Sequence, residues 1–134
     1  MSPAVDDQPV TLVRQGFVLR HVRRLRRLVG WAAQRVGLDD ERGQHLALAV
    51  TEAASNAVKH GGGRGLLELI QDDDRALIAE ISDQGLGMPT ERPVQLPPAE
   101  QINGRGLFLV EHLCDRVEYR TDGSGTTVHL EMDI

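Results

Sequence analysis

Two side chains one helical turn apart, Glu52 and Asn56, offer the first chemistry in this 134-residue chain. They stand in the stretch Thr51-Glu52-Ala53-Ala54-Ser55-Asn56-Ala57-Val58-Lys59-His60-Gly61. An i, i+4 spacing puts an acid and an amide on the same helix face. Magnesium keeps most of its water and phosphate oxygens, so one or two protein ligands suffice, and an Asn amide oxygen qualifies. A carboxylate one turn earlier can accept or orient the proton of an attacking hydroxyl. The pair therefore suits a magnesium-bound nucleotide phosphate. Taken alone, it suits a solvated helix face equally well.

Two glycine-bearing stretches follow. Asn103-Gly104-Arg105-Gly106 leads directly into a helical pattern. Glycines let backbone N–H groups approach an anion, a helix N-terminus favours negative charge, and Arg105 adds a cation. Ser82-Asp83-Gln84-Gly85-Leu86-Gly87 puts an acid at a strand end before two glycines. Each stretch by itself also fits an ordinary turn. Other enzyme templates are missing. Lys59 is the only lysine, so no Gly-x-x-x-x-Gly-Lys-Ser/Thr loop exists, and neither His-Glu-x-x-His nor Gly-x-Ser-x-Gly occurs. The histidines at 21, 45, 60, 112 and 129 lack zinc-ligand spacing.

The elements that must position these groups follow from periodicity. Residues 1–9, with Pro3 and Pro9, read as a loose leader, and Val10 to Arg14 as a short strand. From about Phe17, apolar residues at Val18, Val22, Leu25, Val29, Ala33 and Val36 predict a helix ending at Gly37. Its other face carries Arg20, Arg23, Arg24, Arg26, Arg27 and Arg35. That face reads as solvated, its arginine stems covering apolar surface, rather than as a nucleic-acid helix; a surface for an acidic protein partner lies between the two. Asp39 or Asp40 is a natural N-cap for a second helix running to about His60. Leu46, Val50, Ala53, Ala54 and Ala57 share its core arc, while His45, Glu52, Asn56 and Lys59 take the opposite one. Gly61-Gly62-Gly63 ends it.

Residues 66–71 and 76–81 read as two strands joined by Asp72-Asp73-Asp74-Arg75, a solvated turn rather than a metal site. Residues 88–103 hold four of the six prolines and no periodicity, which suits a lid. A third helix, from Arg105 to about Arg116, turns Leu107, Val110, Leu113 and Cys114 inward. Cys114 reads as a small apolar group. Val117–Thr121 and Thr126–Met132 alternate as strands around Asp122-Gly123-Ser124-Gly125. The order predicts an α+β fold: a two-layer sandwich of a mixed, mostly antiparallel sheet with helices on one face. Residues 10–134 form one domain, with a lid at about 88–104.

Composition bounds the function. The net charge is −5, so the basic footprint of a general nucleic-acid binder is missing. One cysteine excludes an internal disulfide, and no run is long and apolar enough to span a membrane. The expectation is a soluble cytoplasmic protein.

In order, Glu52-x-x-x-Asn56, Asp83-x-Gly85-x-Gly87, Gly104-x-Gly106 and Gly125-Thr126-Thr127 resemble the N box and three G boxes of the GHKL ATPases. The resemblance covers roughly residues 10–132. It is nearest the small single-domain branch, the bacterial anti-sigma-factor serine/threonine kinases. It implies the Bergerat ATP-binding fold, with ATP and Mg²⁺ as cofactors. Asn56 then matches the magnesium ligand and Glu52 the general base. Asp83 matches the carboxylate that accepts the adenine amino group. Gly85 and Gly87 line the base and lid hinge, Gly104, Arg105 and Gly106 hold phosphate, and Thr126 lies near the adenine. The lid departs from the pattern in being proline-rich, with Arg92 and Arg105 its basic residues. The implied partners are a sigma factor and an anti-sigma-factor antagonist, with a homodimer as assembly and no direct contact to nucleic acid or membrane. Two alternatives share the same pocket. One is a non-catalytic ATP-dependent partner-switching module. The other is a switch kinase that activates a phosphatase.

Overall fold

The computed structural model describes residues 8–60, 62–83, 110–122 and 125–134. Strand β1 spans Val10–Val18 and passes through a 3-10 helix, Leu19–Arg24, into α1, Leu25–Val36. Helix α2 spans Asp40–His60. Strands β2 (Arg64–Asp72) and β3 (Ala76–Asp83) follow. Residues 110–113 are helical and lead to β4 (Arg116–Asp122) and β5 (Gly125–Asp133). The leader residues 1–7, Gly61, the lid and the first part of the third helix lie outside the described residues.

Local chemistry accounts for the helix limits. Asp39 caps α2: its Oδ1 accepts the Arg42 backbone N–H at 2.8 Å. Asp40 and Glu41 occupy the first turn, Lys59 and His60 the last, so charges of the favourable sign sit at both ends of the helix dipole. α1 stops where Gly37 adopts φ 85°. At the far end of α2, Gly62 and Gly63 both have positive φ, and the Gly63 N–H reaches the Val58 carbonyl at 3.2 Å.

The start of α1 corrects the sequence expectation. Phe17 and Val18 belong to β1, and the next turn is a 3-10 helix. Phe17 pairs with Gly65 on β2, and its ring lies where a Gly65 side chain would be: a Cβ there would sit 2.6 Å from Phe17 Cζ and 3.0 Å from the Ser82 carbonyl. Burying that ring against bare backbone holds Phe17 in the sheet. The helical spacing from Val18 onward could not reveal a cross-strand contact.

All four strand pairings are antiparallel, in the order β1-β2-β3-β5-β4. The described sheet is therefore not mixed. The β2–β3 connection is a tight turn, with Asp73 at φ 57° and the Arg75 N–H bonded to the Asp72 carbonyl at 3.1 Å. Asp is among the few residues that tolerate that left-handed conformation. An Asp72–Arg75 ion pair also ties the turn together. The aspartate run is a turn, as expected.

α2 packs across β2, β3 and β5, and α1 packs against α2. Leu25, Val29, Leu46, Val50, Leu67, Leu69, Leu77, Ile81 and Leu130 are all at least 98% buried between the layers. The predicted core arc of α2 holds: Leu46, Val50, Ala53 and Ala54 are buried, and Ala57 partly so. The opposite sheet face carries apolar residues on β2 and β3, among them Leu66 and the buried Ile78, and a polar cluster across β3, β5 and β4. There His129 bonds Glu80 at 2.7 Å and Glu131 at 2.9 Å, Arg120 reaches Glu80, and Arg116 reaches Glu131 and Asp133. Among the described residues no helix is long and apolar enough to cross a membrane.

Candidate functional site

Asp83 is the last residue of β3, and strand alternation turns it to the helix side, as it does Ile81 and Ala79 before it. Its carboxylate meets the start of β5. The Thr126 backbone N–H donates to Asp83 Oδ2 at 3.2 Å. Its other oxygen lies over Gly125, where a Cβ would approach Oδ1 to 2.3 Å and the Asp83 carbonyl to 3.2 Å. Gly125 also has φ 140°, a conformation that L side chains rarely adopt. Two features of this glycine, its missing side chain and its backbone angle, therefore seat the carboxylate. One turn-forming glycine among several gave no sequence signal for that role beyond standing immediately before Thr126.

The same end of the molecule receives the last turns of α2. The chain leaves α2 at His60 and enters β2 at Arg64, and Gly65 then pairs directly with Asp83. Glu52 and Asn56 are half-buried on the arc of α2 opposite Ala53 and Ala54. The Asn56 amide has its Nδ2 buried with no hydrogen-bond partner. Oxygen and nitrogen of an amide exchange by a half-turn of the group, so one polar end of Asn56 is left for something else to satisfy. Thr121, on β4, pairs with Thr126, and the two hydroxyls lie 3.5 Å apart.

The structure thus joins Asp83 to Thr126 by a hydrogen bond, and the topology brings the C-terminal turns of α2 to the same end of the sheet. Gly85, Gly87, Gly104, Arg105 and Gly106 lie outside the described residues. A recess of about 380 Å³ between α1 and α2, floored by Gly30, Ala33, Gly43 and Ala47, holds none of the candidate residues. No cluster of three or more His, Cys, Asp or Glu side chains arranged for a metal exists among the described residues. A cation here would take few protein ligands. Cys114 is buried, and burial together with the nearby Asp115 charge pushes its thiol up to about 12. It is no nucleophile at neutral pH.

Comparison with known proteins gives the same picture. The histidine kinase-like ATPase domain family matches residues 18–132. Serine-protein kinase RsbW of Listeria monocytogenes serotype 4a is 34% identical over an alignment of 104 residues that covers 67% of this chain and 66% of the relative. The RsbW of Halalkalibacterium halodurans is 30% identical over 109 residues, covering 73% of this chain and 67% of that protein. The chain therefore spans about two thirds of the length of these curated relatives. Among solved structures, the RsbU and RsbW domains of Rv1364c from Mycobacterium tuberculosis superpose with a TM-score of 0.66 at 18% identity, covering 93% of this chain and 31% of that one. The superposition speaks for the fold, and the family match takes in Glu52, Asn56, Asp83 and Thr126 in one span. The chain belongs to the histidine kinase-like ATPase domain family.

Proposed function

We propose that this chain is an ATP-binding serine/threonine protein kinase of the anti-sigma-factor type. It regulates transcription by binding a sigma factor and by phosphorylating an anti-sigma-factor antagonist. The observation that carries the pocket is the seated carboxylate. Asp83 is fixed by the Thr126 N–H and by the absent side chain of Gly125, at the end of the sheet reached by the last turns of α2. A carboxylate held in this way accepts the exocyclic amino group of adenine and repels the carbonyl that guanine carries in its place. The serine-protein kinase names of the relatives support the choice of reaction.

The unpartnered end of Asn56 fits a hard cation that brings its own phosphate oxygens and water. Asn56 would hold Mg²⁺ through its amide oxygen, and the bound ion supplies charge neutralisation along the phosphates. Glu52, one turn before Asn56, takes the proton of the incoming serine or threonine hydroxyl as that oxygen replaces the ADP oxygen on the γ-phosphorus. Gly104, Arg105 and Gly106 hold the phosphates, and Gly85 and Gly87 flank the base. A cytoplasmic location accords with these partners. A homodimer is also part of this proposal, with β1, an edge strand of the described sheet, as the surface for the second copy.

Two variants test the assignment. Asn56→Ala should abolish magnesium-dependent ATP binding in calorimetry; unchanged affinity rejects the pocket. Glu52→Ala should keep ATP affinity within about threefold and lose at least ~100-fold in phosphate transfer to the anti-sigma-factor antagonist, within the range general base catalysis supplies. Full transfer by that variant removes Glu52 from the chemistry.

A further inference from the structure

Strand β4 carries a hydroxyl to which the proposed site gives no role. Thr121 stands directly opposite Thr126 in the β4–β5 register, with the two Oγ1 atoms 3.5 Å apart. Strand alternation puts Thr121 on the helix side of the sheet, together with Tyr119, whose hydroxyl is buried, and Val117, which packs against the core. Asp83, Thr126 and Thr121 therefore form a polar row across three neighbouring strands, β3, β5 and β4. One step deeper, the same strands present Ile81, Val128 and Tyr119, with Ile81 buried and Val128 packed on the core. A polar row along the rim of the packed core is where the hydrogen-bonding edge of a purine can be read.

The row has a direction. A threonine hydroxyl has one proton to donate and two lone pairs to offer. The Asp83 carboxylate serves as an acceptor here: its Oδ2 holds the Thr126 backbone N–H. When the Thr121 hydroxyl donates to Thr126 Oγ1, the Thr126 proton is left to point elsewhere. Beside the adenine amino group lies a ring nitrogen that accepts a hydrogen bond; at the same position guanine carries N–H, which a donor opposes. Both residues are β-branched, so few side-chain rotamers compete with this arrangement.

We infer that Thr121 is a specificity-determining positioning residue, which orients the Thr126 hydroxyl as a donor toward the base and so sharpens selection of adenine over guanine. This rests on the proposal that Asp83 and Thr126 meet the base. The separation is at the long end of hydrogen-bonding distances, so the effect is that of one modest bond, about three- to tenfold in affinity.

Calorimetric affinities for Mg-ATP and Mg-GTP, with thermal midpoints, are measured on the full chain as wild type, Thr121→Val, Thr121→Ala, Thr121→Ser and Asp83→Asn. Weak GTP binding is read by competition. Thr121→Val, which keeps the branched shape, should weaken ATP three- to tenfold, leave GTP unchanged and so narrow the preference by the same factor. Thr121→Ala should do likewise, and Thr121→Ser should restore the wild-type ratio. An unchanged ratio in the valine and alanine variants overturns the inference. So does an equal loss for both nucleotides accompanied by a fall in thermal midpoint, since that is the signature of a cross-strand threonine pair that only stabilises the sheet. Asp83→Asn separates the two levels. If it abolishes ATP preference while the Thr121 variants do nothing, only the Thr121 role falls. If it leaves ATP binding intact, the pocket itself is misassigned, and the Thr121 role falls with it.

Discussion

His129 should make the fold most stable on the acidic side of neutrality. Its Nδ1 lies 2.7 Å from Glu80 Oε2 and its Nε2 lies 2.9 Å from Glu131 Oε1. A neutral imidazole has one N–H and one lone pair, so one of these contacts would set a lone pair against a carboxylate; both are satisfied only by imidazolium. Burial of the ring lowers its pKa, but the hydrogen bonds and charges of Glu80 and Glu131 outweigh burial, and the net shift is upward from 6.5. Glu131 moves the other way. Burial pushes its carboxyl up, but bonding to His129 and Arg116 prevails and holds it below the usual value, so it stays ionised through the pH range concerned. Glu118 on β4 pairs directly with His129 across the sheet, and Glu68 on β2 pairs with Glu80, so the surrounding field is acidic.

A folded-state pKa above the unfolded one gives stability that is fully present below about pH 6.5 and is lost as pH rises through the higher folded value. Two charge-assisted bonds set an upper limit of about 3–6 kcal/mol. Glu80 keeps Arg120 and Glu131 keeps Arg116 when the ring is removed, and the side chains are 16–23% exposed. Solvent screening and these surviving partners reduce the expected cost of His129→Gln to about 1–2 kcal/mol at pH 6. At roughly 2.1 cal/mol/K of unfolding entropy per residue, that is a fall of about 4–7 °C in Tm. Urea titrations of wild type and variant from pH 5.5 to 9, followed by circular dichroism, should give a stability gap that is widest at the acid end and closes at the alkaline end. A gap independent of pH refutes the imidazolium. A gap that widens with pH would mean that the neutral ring is the stabilising form.

Two further variants test the site and the basic face of residues 23–27. Gly125→Ala places a methyl group 2.3 Å from Asp83 Oδ1, so the carboxylate must move. ATP affinity should fall at least ~10-fold and stability by about 1–2 kcal/mol, the usual scale of strain at such a backbone angle; wild-type affinity in calorimetry would show that the seat is not needed. Replacing Arg23, Arg24, Arg26 and Arg27 together with Gln should change Tm by no more than a few degrees and leave ATP affinity within about twofold, because all four are exposed and none takes part in the Asp83–Thr126–Gly125 seat. A collapse of either property would place these stems in the core or pocket.

Much of this arrangement is written in short-range patterns. The cap at Asp39, the apolar arc of α2, its glycine stop and the one-turn spacing of Glu52 and Asn56 all depend on residues within a few positions of one another. So do the two strands joined at Asp72–Arg75. Helical and strand periods and capping bonds are local, and a linear sequence displays them. The end of β1 was not legible in this way, because Phe17 is held by Gly65 on another strand, and the helical spacing beyond Val18 masks the boundary. Neither was the sheet order, in which β5 rather than β4 lies beside β3. Alternation tells which side of a sheet a residue faces, never which strand is its neighbour.

The candidate site divides along the same line. The chain itself contains the acid, the amide and the glycine stretches in an order that resembles one ATPase family. That resemblance, and not the spacing by itself, implies adenine at Asp83 and magnesium at Asn56. Only the fold brings the Asp83 carboxylate onto Gly125 and the Thr126 N–H, leaves one end of the Asn56 amide buried and unpaired, and sets Thr121 beside Thr126. The same is true of His129 between two carboxylates. Each of these depends on strand register across the sheet or on the packing of a helix over it. Those are set by the burial of a shared core, to which residues far apart in the chain contribute together.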